Sequence, residues 1–205
     1  MTWLGIPLSD YEQHMSLPSV GQAQMLASEL AAAVAAHAAR SVAVVGCAGG
    51  NGFERLASLP LERVVGIDIN PAFIEAARSR HARVVRGLEL HAADIESAPL
   101  EIAPVDLVFA GLVLEYVDVA RAMHALRALC AVGAHLVCLL QLPSRSLPAV
   151  SDSPYASLQV LGDAMRLHQP AAVTEIGAAA GFTLESERRI VLPSGKEFSV
   201  LTFAP

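Results

Sequence analysis

Five short strand-like runs, most of them apolar and rich in β-branched residues and the third shorter and more polar, recur along the chain with helix-favouring segments between most of them. They are Ser41–Gly46 (SVAVVG), Arg63–Ile69 (RVVGIDI), Leu88–Asp94 (LELHAAD), Val105–Gly111 (VDLVFAG) and Ala134–Leu142 (AHLVCLLQL). Continuous apolar character, without polar alternation, is what a strand covered on both faces requires. Strands that alternate with helices are joined by crossovers, so the pattern predicts a mostly parallel, doubly wound α/β sheet with helices on both faces. The last fifth reads differently. A helix near Ala171–Ala180 stops at Gly181, and two β-rich runs, Phe182–Leu192 and Glu197–Phe203, flank Pro193-Ser194-Gly195. Consecutive strands joined by a short turn predict an antiparallel hairpin at the sheet edge.

The chain's 205 residues, 54% hydrophobic and 17% charged, can bury a sizeable core and predict one domain. An alanine-rich helix is expected from about Val20 to Ala39, within an N-terminal helical cap over residues 1–40. The core follows at 41–142. There a short helix is expected from Gly52 to Leu59, a helix opening at Pro71, and another capped by Asp118 that runs through Cys130. Residues 143–170 hold four of the twelve prolines and five serines. So long a connection after the fifth strand predicts a lid or substrate-contacting insertion. Residues 171–205 complete the domain with the helix and hairpin.

Several function classes drop out on composition. Fourteen Lys plus Arg against twenty Asp plus Glu leave a net charge of −6, which disfavours nucleic acid as a partner. Three cysteines, Cys47, Cys130 and Cys138, have no C-x-x-C spacing, and the seven histidines show no metal-ligand motif; no metal site is expected. The start, MTWLGIPLSDYEQ, lacks a basic stretch followed by an apolar run, so no secretory leader is expected. The most apolar segment, Met25–Ala39, is interrupted by Ser28, Glu29 and His37, and no membrane association is expected. A cytoplasmic location follows from these readings.

The stretch VAVVGCAGGNG (Val42–Gly52) carries the most chemical information. Glycines at 46, 49, 50 and 52, with small Cys47 and Ala48, leave the backbone at the tip of the first strand free to approach a ligand. Asp68 ends the second strand 22 residues after Gly46, where a carboxylate can accept hydrogen bonds from ribose hydroxyls. A helix N-cap before Pro71 is the other reading of Asp68. The dinucleotide fingerprint is incomplete, reading Gly46-x-Ala48-x-x-Asn51. The looser glycine pattern of short-chain dehydrogenases matches, but it implies a tyrosine four residues before a lysine; the single lysine is Lys196, and position 192 is leucine. A phosphate-binding G-K-[ST] is absent.

These segments together resemble the class I S-adenosylmethionine-dependent methyltransferases, whose fold is Rossmann-like, over roughly Ser41–Leu142. VAVVGCAGGNG is similar to their glycine motif, which implies contacts from Gly46, Cys47, Ala48 and Gly50 to the methionine part of S-adenosyl-L-methionine. VVGIDINPAFIEAAR is similar to the second motif, which implies that Asp68, with Ile69 beside it, holds the ribose. HAADIE is similar to the third, which implies that Asp94 and the amide of Ile95 read the adenine edge; a simple loop cap is the other reading of Asp94. PVDLVFAGLVLEYVD is similar to the segment lining the methyl-transfer site and adds Leu112. Two positions depart from the family. Val44 stands where an acid often helps position the amino group, which leaves that group to the Gly46 carbonyl, Gln22 or Gln24. Ala48 replaces a glycine.

The resemblance implies in-line methyl transfer, with a small molecule as the leading acceptor and a protein side chain second. Should a base be needed, Glu115, Tyr116 and His14 are the candidates. Tyr11, and Tyr155 from the insertion, are the candidate substrate contacts. A non-catalytic cofactor-binding or partner-binding module is the main alternative, and aminopropyl transfer is a third. The oligomeric state stays open, with a homodimer among the alternatives.

Overall fold

The computed structural model describes residues 2–97 and 100–205. A 3-10 turn at Thr2–Gly5 leads into α1 (Leu8–Ser16) and α2 (Gln22–Ala36). The core runs β1 (Ser41–Val45), α3 (Phe53–Leu56), β2 (Arg63–Asp68), α4 (Pro71–His81), β3 (Leu88–Ala92), β4 (Val105–Gly111), α5 (Val119–Leu129) and β5 (Cys130–Gln141). After the insertion, which carries α6 (Gln159–Ala164), come α7 (Pro170–Ala179), β6 (Thr183–Val191) and β7 (Glu197–Ala204). The strands form a seven-stranded sheet ordered β3-β2-β1-β4-β5-β7-β6. The first five strands pair in parallel, and β7 runs antiparallel to both β5 and β6. The fold class expected from the sequence is the one observed. The hairpin is seated with β7 inside the sheet and β6 at its edge, where charged Glu185, Glu187, Arg188 and Arg189 blunt further pairing.

Alternation along β1 explains its unbroken apolar character. Ala43 and Val45 face a core built with α5 and α7, including Leu126, Met123 and Val173. Val42 and Val44 face the opposite core with Leu30 and Val34 of α2 and Phe53 of α3. A polar residue at any of these positions would lose its water without a partner. Register is pinned at the strand starts: Asp106 accepts the Arg40 and Ser41 amides at 3.0 and 2.9 Å and the Ser41 hydroxyl at 2.9 Å.

Local signals fix the helix starts. Pro71 opens α4, and Asn70 supplies its cap by accepting the Ala72 amide at 2.9 Å. Asp118 caps α5 through the Arg121 amide at 3.0 Å. The 3-10 turn and α1 precede the long helix expected from Val20, which begins as α2 at Gln22. β5 also begins earlier than expected, at Cys130, because a register irregularity between Val105 and Leu107 lets the strand pair before Ala134.

Candidate cofactor cleft

A cleft of about 270 Å³ opens at the carboxyl ends of β1, β2 and β4. Its floor is Val45, Gly46 and Ala48; one wall is Asp68, Ile69, Asp94 and Ile95; the other is Gly111, Leu112, Val113 and Tyr116. Gly46 has φ +68°, and a Cβ there would sit 2.5 Å from Val113 Cγ2, so glycine is required by both backbone and space. Two other residues bordering the cleft hold left-handed backbones without being glycine: Ala48 at φ +47° and Leu112 at φ +57°. Such strain gathers at ligand sites, where the surrounding fold over-determines the conformation.

Asp68 is 9% exposed and stands at the centre of this arrangement. One carboxylate oxygen accepts the Ala48 amide at 2.9 Å and the other the Asn70 amide at 2.9 Å. Burial raises its pKa, and the two amides pull it back down. Each oxygen keeps an acceptor position beyond its amide. Asn70, not Asp68, is the cap of α4. Asp94 accepts the Glu96 amide at 2.9 Å and the Ser97 hydroxyl at 3.1 Å, so it both shapes its turn and borders the cleft.

A roof closes over the cleft from the N-terminal residues. Trp3 meets Tyr11 and Tyr116 edge to face, with centroids 5.5 and 5.0 Å apart, and Tyr11 stacks on Phe73 at 6.3 Å. Four contacts hold this roof: Asn70 Nδ2 donates to the Trp3 carbonyl at 3.0 Å, Ser157 Oγ to Asp10 at 2.6 Å and Tyr155 Oη to Gln13 at 2.7 Å, and Arg80 pairs with Glu12. Trp3, the single tryptophan, lies outside every motif, and Phe73 lies within the VVGIDINPAFIEAAR segment, which singles out Asp68 and Ile69; the place of both aromatics in the roof comes from tertiary packing.

Several expected site residues stand elsewhere. Glu115 is 1% exposed and lies behind the cleft wall: Oε1 accepts the Gln141 amide at 2.8 Å, and buried Oε2 has no partner. Burial pushes its pKa up to about 7 against the opposing pull of backbone amides. His14 lines a second, smaller cavity. Cys47 turns its thiol into the sheet core, away from the cleft, and burial raises its pKa. Gly50 borders a separate pocket with Glu12, Arg80 and His81. Tyr155 packs on the roof with its hydroxyl tied to Gln13, outside the cleft. Gln24 is exposed and Gln22 lines the second cavity, so of the proposed ammonium contacts only Gly46 borders the cleft. Val44 is core, facing α2. Tyr11 and Tyr116 line the cleft, and burial raises both phenol pKa values, Tyr11 also under the Asp68 charge and Tyr116 under that of Glu115. Among the described residues there is no cluster of three metal-ligating side chains, and no helix is long and apolar enough to cross a membrane.

A Rossmann-like sheet with an antiparallel β7, a glycine turn after β1 and a carboxylate ending β2 define a class of protein. Residues 43–138 match the methyltransferase domain family. That stretch, from within β1 to within β5, carries the glycine turn, Asp68 and Asp94, and makes this chain similar to methyltransferases. It is 34% identical over 168 residues to a trans-aconitate 2-methyltransferase of Methylobacterium radiotolerans, a match covering 75% of this chain and 62% of that protein. The chain thus spans less than two thirds of that relative's length. Among solved structures, the 1,6-didemethyltoxoflavin-N1-methyltransferase of Burkholderia thailandensis superposes with a TM-score of 0.69 at 16% identity, covering 96% of this chain and 85% of that one. An N-methyltransferase of Bradyrhizobium japonicum in complex with S-adenosyl-L-homocysteine gives 0.66 at 21% identity, covering 89% and 86%. At these identities the two structures bear on the fold alone.

Proposed function

We propose that this chain transfers the methyl group of S-adenosyl-L-methionine to a small-molecule acceptor in the cleft under Trp3 and Tyr11. The observation that carries the reading is Asp68: a buried carboxylate aimed from the end of β2 into a cleft floored by Gly46 and Ala48. The residues present fit the cofactor. A Cβ at Gly46 would fill the cradle, and the Asp68 oxygens retain acceptor capacity for a diol. Asp68 would hold the ribose, Asp94 and the Ile95 amide the adenine edge, and the Gly46–Ala48 backbone the methionine part.

When bound, the cofactor supplies a methyl group on an electrophilic sulfonium. The protein's part is alignment and exclusion of water. Trp3, Tyr11, Phe73 and Tyr116 cover the cleft, which favours a transition state in which charge disperses. Tyr11 and Tyr116 stay protonated at neutral pH because burial disfavours the phenolate, so each can donate a hydrogen bond to the acceptor but not abstract its proton. Glu115 acts behind the wall, holding the end of β5 through the Gln141 amide.

The acidic balance supports an acceptor other than nucleic acid, and three buried free cysteines support a reducing, cytoplasmic setting. We read the N-terminal cap, core, insertion and hairpin as one working unit. Incubation with methyl-labelled S-adenosyl-L-methionine and a broad metabolite panel tests the reaction. Label is expected in at least one small molecule. Cofactor binding without transfer to any member would identify a non-catalytic module instead.

A further inference from the structure

Beside the cofactor cleft, and sharing with it Trp3, Tyr11, Leu112 and Tyr116, lies a cavity of about 50 Å³. Its far end is polar: His14, Gln22, Gln141 and Lys196 line it. Lys196 is the chain's single lysine, yet it is 5% exposed. Its ammonium donates one hydrogen bond, to the Ala149 carbonyl at 2.7 Å, and no carboxylate pairs with it among the described residues. Burial alone lowers its pKa, with no opposing anion. The same carbonyl accepts Gln141 Nε2 at 2.7 Å, and Gln22 Nε2 donates to Gln141 Oε1 at 3.3 Å. His14, 7% exposed, has an Nδ1 with no partner, and its pKa is lowered by burial and then by the Lys196 charge.

A buried, unpaired ammonium is costly, and an ordinary lysine at a β-hairpin start would reach solvent. This one is kept in a pocket with spare N–H donors and the unpartnered His14 Nδ1 lining the same cavity. The buried acid Glu115 does not line this cavity and is engaged by the Gln141 amide. The cavity has room for about one carboxylate, a group little larger than the ~30 Å³ that a water occupies in the liquid.

We propose that Lys196, with His14, binds a carboxylate of the acceptor, so that the substrate is an organic acid whose methylated group lies toward Tyr116 and Leu112. This rests on the methyl-transfer reading of the neighbouring cleft and names the acceptor's class. Lys196 and His14 are specificity residues here, and no proton transfer is assigned to them.

The test is calorimetry with small di- and tricarboxylates, each against its neutral amide, on the full chain with and without S-adenosyl-L-homocysteine. At least one acid is expected to bind ten-fold or more tighter than its amide. Lys196→Met, which keeps length and apolar packing, should abolish that difference while leaving S-adenosyl-L-homocysteine affinity within about two-fold. The comparison of acid with amide on the wild-type protein stands even if the variant does not fold. Equal binding of acid and amide, an unchanged preference in Lys196→Met, or tighter binding of inorganic phosphate than of any carboxylate would overturn the proposal. If S-adenosyl-L-homocysteine binds and no acid is preferred, the acceptor class fails alone; if S-adenosyl-L-homocysteine does not bind, the methyl-transfer reading fails and this inference with it.

Discussion

Glu115 and Gln141 meet where the segment after β4 crosses the end of β5: the Gln141 amide donates to Glu115 Oε1 at 2.8 Å, and the second carboxylate oxygen is buried without a partner. The amide alone does not offset desolvation, so the pKa rises from 4.5 to about 7. The folded state therefore holds a proton that the unfolded chain has released, and stability falls as pH climbs through that window. Glu115→Gln keeps an acceptor for the Gln141 amide and removes the buried charge. Relative to wild type it should gain about 3 kcal/mol at pH 8 and little at pH 4, because one pKa unit corresponds to about 1.4 kcal/mol. Denaturant melts at the two pH values check this, the wild-type minus variant difference cancelling every other titrating group. An equal effect at both would contradict the burial argument.

Ala48 occupies a left-handed backbone at φ +47°. That conformation costs a non-glycine residue about 1–2 kcal/mol, while glycine's greater unfolded-state freedom returns roughly 0.5–1 kcal/mol. Ala48→Gly should thus stabilise by about 0.5–1 kcal/mol, and Ala48→Val, β-branched at the same φ, should destabilise by more than about 2 kcal/mol. Urea titration of the pair reads both signs.

Tyr155 is tied through its hydroxyl to Gln13, joining the insertion to α1. Tyr155→Phe removes one exposed hydrogen bond, worth about 0.5–1.5 kcal/mol at most. Amide hydrogen exchange should quicken in α1 and in residues 153–164, with S-adenosyl-L-homocysteine affinity lowered less than about three-fold. A loss of acceptor affinity without faster exchange would restore Tyr155 as a substrate contact.

The core was legible where local and global signals agree. Buried parallel strands show as unbroken apolar runs, and Gly46, Asp68 and Asp94 sit at strand ends whose order the sequence displays. For Cys47 and Gly50 the motif names a stretch of backbone and not the direction of each side chain; the turn sends the Cys47 thiol into the sheet core and sets Gly50 beside His81. Glu115 and Tyr116 are adjacent, yet the short 3-10 turn at Leu114–Tyr116 buries one behind the wall and sends the other into the cleft. Trp3, Gln141 and Lys196 take their places through partners distant in the chain, Trp3 with Tyr116, Gln141 with Gln22 and Lys196 with Ala149, which no local pattern encodes.

Calorimetric titration with S-adenosyl-L-homocysteine reads the proposed grip of Asp68, at the end of β2, on the ribose. Wild type should bind, and Asp68→Ala should lose on the order of 2–3 kcal/mol, the worth of charge-assisted hydrogen bonds. Asp68→Asn, which still accepts one of the two amides, separates folding from binding: it should melt closer to wild type than the alanine variant while binding more weakly than wild type. No binding by the wild-type protein, or equal affinity in the folded variants, would show that Asp68 does not hold the cofactor.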